Sequence, residues 1–260
     1  DLCYLETISE NRINSPENLA IRKAISYNGT HRKKRNMGER NMNQQEYYNP
    51  NEDFIERMLR NPKNVLNLIM IAVNILVFLL VTLTGGSNDM ENMIRWGAAY
   101  TPLIQAGETY RLFTSMFLHF GISHLFNNML LLLFVGDYLE KTVGKPVYLA
   151  VYMLGGLAGN LCSYRYEIAQ GRAVVSAGAS GAIFAVLGAI VVLLILNKGR
   201  LEDLSLLRVC LMVVLTLLVG FQSSNVDNYA HIGGFIGGMA VMLILSPVYL
   251  MQRKKQKKNW

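Results

Sequence analysis

The apolar residues of this chain come in long blocks, and that blocking limits its fold more than any other feature. Six runs carry few charges: Val65–Thr84, Leu125–Leu139, Val147–Cys162, Ser180–Leu196, Leu206–Phe221 and Ala230–Leu250. A helix of roughly 20 apolar residues spans a bilayer, and within lipid the helix satisfies its own backbone hydrogen bonds. The expectation is therefore an all-α polytopic membrane protein with six spans. The second and fifth runs are short, and their ends are only loosely set. Gly, Asn, Ser and His interrupt several runs, which suits helices that pack on each other rather than face lipid all round.

The formal charge of +7 invites a nucleic-acid reading, but its placement argues for a membrane. Cations crowd the N-terminal tail, with "HRKKR" at 31–35, and the C-terminal tail, with Arg253, Lys254, Lys255, Lys257 and Lys258. Lys141 and Lys145 follow the second run; Lys198 and Arg200 follow the fourth. With six spans, both tails and these two connections share one side, which the positive-inside rule makes cytoplasmic. A basic run there is a solvated segment near anionic lipid, and no nucleic-acid partner is expected.

Residues 1–64 are polar and Asn-rich and read as a flexible cytoplasmic region, with one short amphipathic segment at 51–62. Residues 65–250 form the membrane domain and 251–260 a basic cytoplasmic tail. The chain begins at Asp1 rather than Met, which reads as a truncated or processed start, without a cleavable signal pattern. Cys3, Cys162 and Cys210 make no disulfide framework. The long connection from Gly85 to Ser123 lies outside. It mixes Trp96, Tyr100, Tyr110, Phe113, Phe117 and Phe120 with polar residues, as an interfacial segment does.

Polar groups inside a membrane are costly, so each is a candidate for function. His124 and Asn128 are four apart and share a helix face. Helix–helix hydrogen bonding is their bland alternative. Ser180, in "GASGAIF" (178–184), opens the fourth span, where free N–H groups and the positive end of the helix dipole would meet an oxyanion. The alternative is a capping serine. Gly178 and Gly181 permit close backbone approach. In the sixth span, "AHIGGFIGG" (230–238) places His231, Gly234 and Gly238 on one stripe. Gly181, Ala185 and Gly188 form a matching small stripe on the fourth. Packing the two stripes brings His231 toward Ser180 as its general base. Phe184, one turn past Ser180, is placed to pack on that imidazole. No orienting carboxylate is evident, and Asp227 is left without a role.

"YRLFTSMFLHFGISHLFNN", "GASGAIF" and "AHIGGFIGG", in this order, make residues 65–250 resemble a rhomboid intramembrane serine protease. The resemblance implies a six-helix bundle with a long outer loop between the first two helices. It implies a Ser180–His231 dyad, and an oxyanion held by the Ser180 N–H, His124 and Asn128. Transmembrane protein substrates are implied, with no cofactor and no metal. Gly234 and Gly238 match the packing motif of the last span. Arg111, His119 and Glu140 match polar positions that brace the outer loop. Tyr110 stands where Trp is frequent, and Phe184 where Tyr is frequent; neither change removes a catalytic group. Three other readings remain. A catalytically silent binding protein of the same fold usually lacks the serine or histidine. A zinc site on His119, His124 and His231 would make activity chelator-sensitive. A channel would conduct regardless of Ser180. Six spans and a short basic tail point to a bacterial plasma membrane.

Overall fold

A computed structural model describes residues 65–201, 204–221 and 226–258. The N-terminal region, with the basic run at 31–35 and the amphipathic segment at 51–62, lies outside the described residues. The elements run in the order α1 (Val65–Leu83), α2 (Met90–Arg95), β1 (Ala99–Tyr100), α3 (Thr101–Gln105), α4 (Arg111–Thr114), a 3-10 turn (Ser115–Phe117), α5 (Gly121–Val143), α6 (Lys145–Ala169), β2 (Val175–Ser176), α7 (Ser180–Leu196), β3 (Arg200–Leu201), β4 (Leu204–Ser205), α8 (Leu206–Phe221) and α9 (Asn228–Lys258).

By length and composition, α1, α5, α6 and the Asn228–Met251 part of α9 can each cross a membrane; α7 and α8 are shorter apolar helices. The apolar runs locate all of these helices but understate some. α5 extends beyond Leu125–Leu139 at both ends and stops where Gly144 adopts φ +82°, a conformation that favours glycine. α6 starts with proline in its first turn, where a missing N–H costs nothing. α9 does not stop at Leu250. It continues to Lys258 with Pro247 inside it, because the basic tail consists of good helix formers whose charge suits a helix C-terminus.

α7 is the central helix. It is apolar on every face, and each residue from Gly181 to Leu194 is buried. Such a helix is stable only when surrounded. α6 and α9 enclose it most closely, with α5 and α8 completing its contacts, while α1 packs on α5. The contact with α9 is between backbones. A Cβ at Gly234 would collide with the Gly181 carbonyl, one at Gly238 with the Ala185 carbonyl, and one at Gly188 with the Phe235 carbonyl. α6 joins the same seam, since a Cβ at Gly159 would lie 2.6 Å from the Ala230 carbonyl oxygen. Without side chains between them the helices approach within direct van der Waals reach.

The outer connection is folded rather than loose. β1 pairs antiparallel with β2, Ala99 opposite Ser176 and Tyr100 opposite Val175, which ties it to the segment just before α7. Nothing in the sequence pattern points to this pairing.

The glycine seam makes a quantitative prediction. Gly238→Ala pushes a methyl into a carbonyl that cannot move aside, and is expected to destabilise the fold by about 3 kcal/mol. Ile236→Ala, on the exposed side of α9, is expected to cost little. Thermal unfolding of both variants in detergent checks the contrast.

Candidate active site

Ser180 is the first residue of α7, and Ala179 occupies the cap position without a side-chain cap bond. The serine is therefore not the helix cap. The first bond of the helical ladder runs from the Ile183 N–H to the Ala179 carbonyl at 3.0 Å, so the N–H groups of Ser180, Gly181 and Ala182 precede it. Free donors and the positive end of the helix dipole thus surround the hydroxyl.

Gly178 holds the approach to this corner. Its φ is +147°, which a side chain would strain. A Cβ there would lie 2.9 Å from His124 Cε1, 3.0 Å from His124 Nε2 and 3.7 Å from Ser180 Oγ. The His124 imidazole and the Ser180 hydroxyl therefore converge on one glycine. One turn along α5, buried Asn128 donates through Nδ2 to the His124 carbonyl at 3.0 Å. An amide NH2 has two hydrogens, so this bond leaves one free for another acceptor.

His231 lies in the first turn of α9 and is buried. Its ring stacks on Phe184 with centroids 4.3 Å apart and planes 7° from parallel. Phe184 is one turn from Ser180 on the same helix, so the stack places the imidazole beside the serine's end of α7. Among the described residues His231 Nδ1 has no hydrogen-bond partner, and the Asp227 carboxylate is engaged elsewhere. Asp227 Oδ1 accepts the Ala230 N–H at 2.9 Å, and Oδ2 accepts the Ser163 hydroxyl at 2.5 Å. An aromatic face, not a carboxylate, sets the orientation of this ring.

His119 sits between the outer connection and the site. Its Nε2 accepts the Ala179 N–H at 3.4 Å, and its ring meets that of His124 edge to face at 5.1 Å. Arg111 is buried and knits the outer segment together. It donates to the Ile94 carbonyl at 2.6 Å and the Ala98 carbonyl at 3.1 Å, and pairs with Glu108 at 2.6 Å. The Tyr110 hydroxyl, and after it the Arg111 guanidinium, hold the Glu108 carboxyl below the usual carboxylate range.

Glu140 does not brace the outer loop. It lies on α5 about 24 Å along the axis from His124, at the other end of that helix. Its oxygens accept the N–H groups of Leu66 at 3.1 Å and Asn67 at 2.7 Å. It supplies acceptors to two N–H groups in the first turn of α1, and the expectation for this residue is corrected accordingly. Ser115, within the first quoted string, and Asn160 on α6 give further support. The Ser115 carbonyl accepts the Gly178 N–H at 2.9 Å, and Asn160 Nδ2 donates to the Leu112 carbonyl at 2.7 Å and to Ser115 Oγ at 3.0 Å. Asp227, three residues before Ala230, does carry the local signature of a helix cap.

The rhomboid-domain family model matches residues 106–248. The chain is 36% identical over 181 residues to rhomboid protease GluP of Bacillus subtilis (strain 168), covering 70% of this chain and 35% of that protein. It is 41% identical over 165 residues to RHOMBOID-like protein 5 of Arabidopsis thaliana, covering 62% and 52%. With rhomboid protease AarA of Providencia stuartii it shares 33% over 207 residues, covering 70% and 73%. The chain thus spans about a third to a half of the length of the first two.

Two outcomes are expected. Because the Glu108 carboxyl is held low, its interactions persist above the ordinary value of 4.5 and are lost only as pH falls through the lower native one. Tyr110→Phe should raise its NMR titration midpoint. Phe184→Leu should leave the fold intact but remove the ring face on which His231 stacks, read as a downfield shift of the His231 ring protons in the NMR spectrum as the aromatic shielding is lost.

Proposed function

The chain belongs to the rhomboid family, and from that premise we propose that it is an intramembrane serine endopeptidase acting on transmembrane protein substrates. The observation that carries this reading is the convergence of the Ser180 hydroxyl and the His124 imidazole on Gly178, one turn from the His231–Phe184 stack. Helix N-termini supply all three side chains, so α5, α7 and α9 would begin at the same face of the membrane. With six spans and both termini cytoplasmic, that is the outer face. The proposed location is a bacterial plasma membrane.

In the proposed reaction Ser180 Oγ attacks the scissile carbonyl while His231 takes its proton. The tetrahedral oxyanion lies against the Ser180 N–H, the His124 Nε2–H and the free amide hydrogen of Asn128. Donors aimed at the developing charge each contribute about 3 kcal/mol to such a transition state. His231 then passes its proton to the leaving amine, which departs as the acyl-enzyme forms. Water, deprotonated by His231, releases the new carboxyl end and restores Ser180. Every step is served by groups of this chain, with no cofactor or metal assigned a part. A substrate segment must unwind to present its backbone, which favours helix-breaking sequences near the outer face. The outer segment and α8 move to admit it. α8 is the natural mobile element, since Leu207, Leu211, Val214, Leu215 and Leu218 all face outward.

The test is cleavage of a transmembrane model substrate in liposomes by the native chain, Ser180→Ala and His231→Ala. Native cleavage that both substitutions reduce by at least about 1,000-fold, and that a chelator leaves unchanged, is the expected result. Cleavage that survives Ser180→Ala refutes the assignment.

A further inference from the structure

The Ser180–His231 pair leaves unexplained a row of oxygen groups behind it. Thr101, the first residue of α3, donates its hydroxyl to Glu167 Oε2. Glu167 and Ser163 lie one turn apart on α6; both are buried, and their side-chain oxygens are 3.5 Å apart. Ser163 Oγ donates to Asp227 Oδ2 at 2.5 Å, and Asp227 Oδ1 accepts the Ala230 N–H at 2.9 Å. Backbone bonding continues the row, with the His231 N–H donating to the Asp227 carbonyl at 3.2 Å. Three separate pieces of chain are joined: the outer segment, α6, and the first turn of α9.

Resting on the dyad reading above, we propose that Asp227 is a positioning residue for His231, acting through the cap of α9 and anchored to α6 by Ser163. The argument is geometric. His231 has a buried Nδ1 with no partner among the described residues, so none of them fixes the ring from behind by a hydrogen bond at that atom. Phe184 fixes the plane of the ring by stacking. Its height along the α7–α9 seam depends on where the first turn of α9 sits. That turn carries His231 directly after Ala230, whose N–H the Asp227 carboxylate holds. A capping carboxylate satisfies a free N–H at the helix start and stabilises the turn. Its second oxygen, held by Ser163, ties the same turn to α6. Without Asp227 the turn loses both ties at once, and the imidazole is free to shift relative to Ser180. Asparagine keeps the acceptor for the Ala230 N–H, turns its amide NH2 toward Ser163 Oγ, which can accept as well as donate, and preserves the side-chain length. Alanine keeps neither.

The experiment compares the native chain, Ser180→Ala, Asp227→Ala, Asp227→Asn and Ser163→Ala. It measures kcat and KM on a transmembrane model substrate, the rate of Ser180 modification by a fluorophosphonate probe, and thermal stability. A displacement of about 1 Å at a general base lowers rate by up to about a hundredfold. Asp227→Ala is therefore expected to lose at least about tenfold in kcat and in probe reactivity with KM unchanged, and Asp227→Asn to recover most of both. Ser163→Ala removes one small hydroxyl and is expected to fold, with a smaller loss of the same kind. It decides the question alone if Asp227→Ala does not fold. Native kcat and probe rates in Asp227→Ala and Ser163→Ala, or a change confined to KM or to stability, overturn the inference while leaving the dyad standing. A native chain that neither cleaves substrate nor reacts with the probe at Ser180 overturns the dyad reading and this inference with it.

Discussion

The backbone contact between α7 and α9 is the constraint on which the site depends. Gly234 rests on the Gly181 carbonyl and Gly238 on the Ala185 carbonyl, while Gly188 receives the Phe235 carbonyl from the other side. Three such contacts over two helical turns fix both the separation and the register of the pair. Ser180 and Phe184 belong to one helix and His231 to the other, so their relation is set by that register. Lipid supplies no hydrophobic drive for helix association, so close packing and hydrogen bonds must hold the seam. Glycine serves here because its missing side chain lets the carbonyl of the neighbour fill the space.

The costly polar groups are concentrated at helix ends, and the two ends of the bundle use them differently. At the start of α1, Glu140 receives two backbone N–H groups, and Asn67 accepts the Tyr148 hydroxyl at 2.7 Å while donating to the Leu132 carbonyl at 3.1 Å. These bonds pair the polar groups at this end with one another and with the backbone. At the starts of α5, α7 and α9 the arrangement is less complete. Among the described residues, the N–H groups opening α7 precede the helical ladder, one amide hydrogen of Asn128 is spare, and His231 Nδ1 is unpartnered. Leaving such groups unpaired costs stability. Under the proposed function, a reacting carbonyl would accept from the N–H groups of α7 and the spare amide hydrogen of Asn128.

Much of this was legible in the sequence because a membrane span is a composition signal. Apolar runs locate the long helices, and the ends of α7 and α8 agree with the runs read from the sequence. Small residues at helical spacing in "GASGAIF" and "AHIGGFIGG" announced the seam between α7 and α9. The Phe184 stack followed from a single helical turn. Glu140 was misplaced because its partners, the N–H groups of Leu66 and Asn67, lie more than seventy positions earlier in the chain. A carboxylate in an apolar helix reveals that it needs a partner, not which one. The pairing of β1 with β2 was hidden for a related reason: two-residue strands have no periodicity to detect.

By itself the sequence determined where the long apolar helices lie and which few polar side chains an apolar protein retains within them. Both follow from local cost, since each residue's price of transfer into lipid is its own. Only the tertiary structure decided that Gly178 brings His124 beside Ser180, that Ser115 and Asn160 hold that glycine in place, and that Ser163 of α6 reaches Asp227 at the start of α9. Those are contacts between segments distant in the chain. Their geometry comes from how closely glycine-lined helices approach one another, which no local pattern records.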